Sequence, residues 1–348
     1  MKKRTLYLDI LRICAIIMVL FNHRGCYDFC LQKPIGSFSF IFSAVLSVLC
    51  KCGSPLFFMI SGILLLGKDE SFLTILRKRV LRIFIVMLIA SLWIAKDNLT
   101  LSNYLKTLLG GCNWYLYAYI GYLIMLPFLR SMIRNWQAKE WQLFIMLFIG
   151  CYTLSGLLTF FQVQQSFLSK LPLLTSGWAS SCWHIVFPLL GYYLANADKW
   201  NTKTSDSKKR LIIWSCGAVF SVGISALLIA LDIRFHSGKN LEMLRQYFIA
   251  VPCGCLLLIA KGADEKYSLK TPEPIKRIIS ECSQATFGVY LIEVCTKSSK
   301  WLFTNLADPT KAVVGVYGSF ILAVIIEFII YTAVIIPIRR IPGIKKLL

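Results

Sequence analysis

The chain has 348 residues, 57% of them hydrophobic and 16% charged, with a mean hydropathy of +0.66 and a formal net charge of +21. That balance is too apolar for a soluble globular domain of this length, and apolar runs of about twenty residues recur along almost all of it. The expectation is an all-α, polytopic integral membrane protein forming a single transmembrane domain over residues 1–348, because a lipid interior admits only segments that satisfy their own backbone.

Ten spans are expected, near 6–24, 40–66, 80–96, 114–130, 141–161, 180–197, 211–231, 243–261, 283–304 and 312–337. The first, LYLDILRICAIIMVLFNHR, has no small-residue cleavage signature and reads as a retained span, not a signal peptide. It carries Arg12 and His23, eleven positions apart. Eleven steps of about 100° return to within roughly 20° of one face, so both lie on one stripe, roughly 16 Å apart along the axis. Ionisable groups at membrane depth cost about 2.5–3.5 kcal/mol or more and usually line a functional cavity. The alternative is that both anchor helix ends at the interface. Asp9 is a helical partner for Arg12, which leaves His23 as a candidate general base.

The second span is interrupted at Gly53-Ser54-Pro55, where Pro55 should kink or restart the helix, and Lys51 falls in its middle. Its later part, PLFFMISGILLLG, contains Ser61-Gly62, which reads first as a close-packing site. The third span is entered through RKRVLR, residues 77–82. Arg79 and Arg82 share a helix face, as do Lys78 and Arg82, and guanidinium pairs suit phosphate oxygens. Anchoring by positive charge explains that cluster equally well. The fourth span opens on NWYLYAYIGYLIMLPFL: Trp114, Tyr115 and Tyr117 read as an aromatic belt, whereas Asn113 and Tyr122 suit contact with a polar substrate. In the ninth span Glu293 is an acid inside an apolar run, one turn after Tyr290. Such a carboxyl is protonated or finds a basic partner, for which Arg12 and His23 are candidates. Glu327 in the tenth span raises the same question.

Basic residues alternate between loops. Lys2, Lys3 and Arg4 precede the first span, and Lys68, Arg77, Lys78, Arg79 and Arg82 lie in the second loop. Arg130, Arg134 and Lys139, then Lys199 to Arg210, Lys261 to Arg277 and Arg339 to Lys346 continue the series. The intervening loops are thinner, so both termini should be cytoplasmic and the span number even. The charge excess is therefore a topology signal with the lipid bilayer as default partner, not a nucleic-acid footprint. The thirteen cysteines show no CxxC pair or zinc spacing, so no metal is expected. Cys26 and Cys30, in an expected outer loop, are candidates for pairing.

Taken together, these segments resemble the acyltransferase family 3 of integral membrane proteins. Arg12 and His23 match its R-x10-H signature in a YLDILR context. FFMISG resembles its FF-x-x-SG segment, and Arg79-Val80-Leu81-Arg82 its R-x-x-R pair. NWYLYAYIGYLIMLP, FPLLGYYLA and SQATFGVYLIE resemble three later segments, in order, from about residue 5 to about 337. Two positions depart from the pattern. Cys112-Asn113-Trp114 stands where many members have His-x-Trp or His-Trp, and Glu293 stands where many have the histidine of YLIH.

The resemblance implies transfer of an acyl group, usually acetyl from acetyl-CoA as co-substrate with no bound cofactor, to a hydroxyl of a cell-surface or lipid-linked glycan. It places such an enzyme in the bacterial cytoplasmic membrane. On that reading Arg79, Arg82 and Lys78 receive the donor phosphates and His23 is the base. Arg12 organises the donor path, with Arg12 or Tyr115 as oxyanion donor. Asp9, Ser61, Asn113, Trp114, Tyr115, Tyr290 and Glu293 then support the site or touch substrate. The competing reading is a transporter or flippase that uses Arg12, His23 and Glu293 as a substrate or proton pathway.

Overall fold

The computed structural model describes residues 5–25, 33–110, 114–161, 183–197, 207–295 and 298–347. Cys26, Cys30 and Asn113 lie outside them. In chain order the helices are α1 (Leu6–Arg24), α2 (Phe38–Cys50), α3 (Gly53–Leu65), α4 (Phe72–Ile75), a π-helical stretch (Leu76–Val80) and α5 (Leu81–Ala95). There follow α6 (Leu101–Leu108), α7 (Trp114–Ile133), α8 (Ala138–Phe160), α9 (Trp183–Ala195) and α10 (Ser207–His236). The series ends with α11 (Leu241–Gln246), α12 (Ala250–Tyr267), α13 (Glu273–Cys295), α14 (Ser298–Ile338) and α15 (Ile344–Leu347). No strand occurs among the described residues.

Among the described residues, seven helical stretches are long and apolar enough to cross a membrane: Leu6–Arg24, Phe38–Leu65, Trp114–Ile133, Ala138–Leu158, Lys209–His236, Leu241–Tyr267 and Trp301–Ile338. The other three expected spans fall on α5, α9 and α13. α5 has only 15 residues because the π-helical stretch precedes it, and α13 carries Lys276, Arg277 and Glu281 in its first half. The expected ninth span, 283–304, is corrected. Its helix starts at Glu273, ten residues before the expected bound, and is described to Cys295. α14 is itself broken at Gly315, whose φ of 70° and ψ of 175° suit a residue without a Cβ.

Local chemistry accounts for several helix starts. The hydroxyl of Ser37 accepts from the N–H of Phe40 at 3.2 Å, and that of Thr100 from Asn103 at 3.2 Å, each satisfying a donor the helix leaves over. α2 and α3 are separated at Lys51-Cys52, and Pro55 sits in the first turn of α3, where its missing N–H costs nothing. Lys51 is accommodated by an ion pair with Glu242 at 2.5 Å.

The chain forms two compact units. One comprises Met1–Arg24, Lys68–Arg130 and Lys270–Leu348, and here α13 packs against α1, α5 and α14. The other comprises Gly25–Gly67 and Ser131–Leu269. In it α3 and α9 approach so closely that a Cβ on Gly62 would lie 2.0 Å from the carbonyl oxygen of Pro188, and one on Gly191 would lie 2.5 Å from that of Met59. The break between α11 and α12 is covered from α10, where Ser225 donates to the Leu244 carbonyl (2.7 Å) and Ser221 to that of Phe248 (2.6 Å). Backbone groups freed by a break inside an apolar bundle need such partners.

Gly62→Ala and Gly191→Ala should each destabilise the protein in detergent by at least about 1–3 kcal/mol through overpacking, because the obstructing atoms are backbone. Gly121→Ala, with nothing within 4 Å of the added Cβ, should instead gain about 0.5–1 kcal/mol from helix propensity. Thermal unfolding of the three variants checks this, and equal shifts would contradict it.

Candidate active site

α1 presents polar groups to α13 at two levels. At the lower level the Asp9 carboxylate, 3% exposed, accepts from the Ser283 hydroxyl at 2.7 Å and from Arg12 Nη1 at 3.2 Å. Arg12 Nη1 is also 3.5 Å from the Ser283 oxygen. At the upper level His23 Nδ1 lies 3.5 Å from Glu293 Oε1. Since Asp9 meets Ser283 and His23 meets Glu293, α1 and α13 run in the same direction. Between the levels Ala15, Ile16, Val19 and Leu20 are buried.

The upper level is built around Arg24, which the sequence reading did not single out. Arg24 Nη2 donates to Glu293 Oε2 at 2.5 Å and also to Glu327 Oε1, while Nε donates to Glu327 Oε2 at 3.0 Å. The Tyr331 hydroxyl completes the set by donating to Glu327 Oε1 at 2.8 Å. The guanidinium lies 5.9 Å from the Phe303 ring centroid. Glu293 and Glu327 side chains are 5% and 0% exposed, whereas His23 is 32% exposed. The buried acids are thus held by a fork-shaped cation, the geometry guanidinium supplies best, and the imidazole stays accessible. Glu293 finds His23 as expected, but its second partner is Arg24, not Arg12, which is occupied by Asp9 on its own helix. The signal available in the sequence was two acids in apolar spans, Glu293 and Glu327, each needing a partner.

A second cluster forms around the π-helical stretch. The N–H of Leu81 bonds back to the carbonyl of Leu76, five residues earlier. This widened turn alters the helical phase between Arg79 and Arg82, which take different partners. Arg79 Nη2 donates to Glu70 Oε1 at 2.8 Å, and Arg130 Nη2 to Glu70 Oε2 at 3.2 Å, with Arg130 Nη1 on the Glu70 carbonyl at 3.1 Å. Arg82 Nε instead donates to the Leu347 carbonyl at 3.0 Å, within electrostatic reach of Arg79 and Arg339. Lys78 is exposed on the π-helical stretch. Burial by itself would raise the Glu70 pKa, but the hydrogen bonds of Arg79 and Arg130 and the charges of Arg79 and Lys68 outweigh it and hold the carboxyl below its ordinary range.

Tyrosines of α7 lie between the clusters. Trp114 packs edge-on against Tyr115 (5.9 Å between centroids), and Tyr115 packs on Tyr290, one turn before Glu293, at 5.5 Å. Tyr119 and Tyr122 continue the row at 6.0 Å. Tyr119 is within electrostatic reach of Arg82, and the fully buried Tyr122 of Arg130 and Arg79. Ser61 belongs to the other compact unit, where its hydroxyl donates to the Phe57 carbonyl at 2.9 Å.

A family model described as an acyltransferase domain, that of acyltransferase family 3, matches residues 5–332. The chain belongs to that family. No curated protein and no solved structure gives a match. In this acyltransferase 3 protein Arg12 and His23 thus belong to two polar levels of one helix, and Glu293, one of the two positions at which a departure from the family pattern was expected, is the residue that meets His23.

Glu70 gives a pH prediction with a definite sign. A carboxyl held below its ordinary value contributes stability above the unfolded pKa, about 4.3, and loses it as pH falls through the lower folded value. The stability difference between wild type and Glu70→Gln should therefore be flat from neutral pH to about pH 5 and shrink only below about pH 4.3. Thermal unfolding across that range measures it.

Proposed function

We propose that the protein is a membrane-embedded O-acyltransferase of the bacterial cytoplasmic membrane. It would move an acetyl or similar acyl group from cytosolic acyl-CoA to a hydroxyl of a cell-surface or lipid-linked glycan. The observation that carries this reading is an accessible His23 beside a buried carboxylate, on the helix bearing the defining motif of an acyltransferase family.

In this reading both termini face the cytosol, in keeping with the alternation of loop charge. The donor phosphates meet the cluster of Arg79, Arg130, Arg82 and Lys78. Glu70, bound to two of these guanidiniums, occupies the place of an anion and yields it to phosphate. The pantetheine arm follows the α7 tyrosines towards Tyr290 and His23. Nε2 of His23 takes the proton of the acceptor hydroxyl, and the oxygen attacks the thioester carbonyl carbon. The carbon–sulfur bond breaks, and the departing thiolate takes the proton from the imidazolium to leave free CoA. Arg12, held by Asp9 and Ser283 roughly 16 Å along the helix from His23, organises the donor side. Tyr115, against Tyr290, is the better-placed oxyanion donor. The transport reading draws on the buried ions of the upper level, and the following test separates the two.

Purified protein in lipid nanodiscs should release CoA from acetyl-CoA, and cells bearing it should carry surface glycan heavier by the mass of an acetyl group. His23→Ala should lower the rate about 10²–10⁴-fold. Arg79→Ala and Arg130→Ala should each raise KM for acetyl-CoA about tenfold or more, the worth of a lost charge-assisted hydrogen bond. Undiminished turnover in His23→Ala, or solute movement with no CoA release, would overturn the reading.

A further inference from the structure

The upper-level cluster is more elaborate than pairing a buried arginine requires. One carboxylate would neutralise Arg24, yet two are spent on it, and they differ in use. Glu327 gives both oxygens to Arg24, with Tyr331 also donating to Oε1. Glu293 gives Oε2 to Arg24 and turns Oε1 to Nδ1 of His23. A side chain whose two oxygens face a guanidinium and an imidazole is fixed against rotation and can impose a direction on the ring.

We propose that Glu293 is the positioning residue of His23: it holds the imidazole in the tautomer protonated on Nδ1, leaving the Nε2 lone pair to take the acceptor proton. Arg24, Glu327 and Tyr331 serve as the buckle that keeps Glu293 aimed. The catalytic part of this assignment rests on the acyltransferase reading; the tautomer does not. The separation of 3.5 Å is longer than a formed hydrogen bond, and catalytic contacts of this kind often tighten only with substrate bound. Charge points the same way. The described cluster brings two acids, Glu293 and Glu327, to one guanidinium. A proton taken up by His23 therefore arrives beside an acid that already faces the ring. No proton leaves Glu293 at any stage; it passes from the hydroxyl to Nε2 and on to the CoA sulfur.

The test reads the ring directly. The full-length protein, labelled with ¹⁵N-histidine in nanodiscs, has three histidines, assigned by His184→Gln, His236→Gln and His23→Gln. Neutral His23 should appear as the Nδ1–H tautomer. In Glu293→Gln, whose amide can donate to Nδ1, it should switch wholly or largely to Nε2–H. Should Glu293→Gln not fold, Glu293→Asp keeps the charge but withdraws the oxygen, and should give a mixture. An Nε2–H tautomer in the wild type, or a tautomer unmoved by the folded variant, overturns the proposal.

Activity supplies the second arm. Glu293→Gln should lower kcat for acetyl-CoA turnover about 10²–10⁴-fold with KM within about twofold, and Glu293→Asp should recover part of the loss. A loss confined to KM would also overturn it. If the wild type shows the expected tautomer but consumes no acetyl-CoA, the acyltransferase reading fails and the positioning of His23 by Glu293 stands.

Discussion

The arrangement of the first compact unit depends on one buried guanidinium. Arg24 ends α1, and its fork is shared between Glu293 on α13 and Glu327 on α14. Removing one partner of a buried ion pair typically costs about 3–5 kcal/mol, because the other charge is left in a medium that cannot solvate it. Here the cost would fall on three helices at once. At the other end of the α13–α14 pair, Arg339 donates to Gln284 at 2.9 Å. Between these ties Gly288 lets Ile335 approach to where a Cβ would sit 2.6 Å from its methyl carbon. Close packing of small and branched residues gives contact area, and the polar ties at both ends give it a register.

That register is what gives the Arg12–His23 spacing its meaning. Arg12 and His23 are separated by three helical turns whose buried residues are apolar, among them Ala15, Ile16 and Leu20 at 0% exposure. Neither cluster can exchange partners with the other, so each keeps its own charge balance. Asp9, Arg12 and Ser283 meet one another at the lower level. The upper set brings two acids, one guanidinium and the more exposed imidazole of His23 together.

The local parts of this arrangement were legible in the sequence. Asp9 three residues before Arg12, the restart of helix at Gly53-Ser54-Pro55 and the first span from 6 to 24 follow from helix periodicity and proline chemistry alone. What was hidden depended on long-range pairing or on departures from α-helical phase. Arg24 reads as an interfacial cation until Glu293 and Glu327 are both placed against it, 269 and 303 residues away. The phase of Arg79 and Arg82 cannot be read on an α-helical wheel, since a single bond to the fifth residue back resets it. Nor does any local signal distinguish Gly315, which breaks a helix, from Gly121, which does not. Both lie in apolar runs, and only the backbone angle separates them.

The two clusters bring different charges together, and this bears on the proposed chemistry. Around His23, two acids face one guanidinium. Around Glu70, one carboxylate is shared by Arg79 and Arg130, with Arg82 and Arg339 nearby. On the proposed function the second set would take the donor phosphates, with Glu70 holding the arginines in their absence. The first would take the proton of the acceptor hydroxyl at His23. Tyrosine, polar enough to tolerate a polar arm yet neutral enough to disturb neither balance, is the side chain that lines the interval between them.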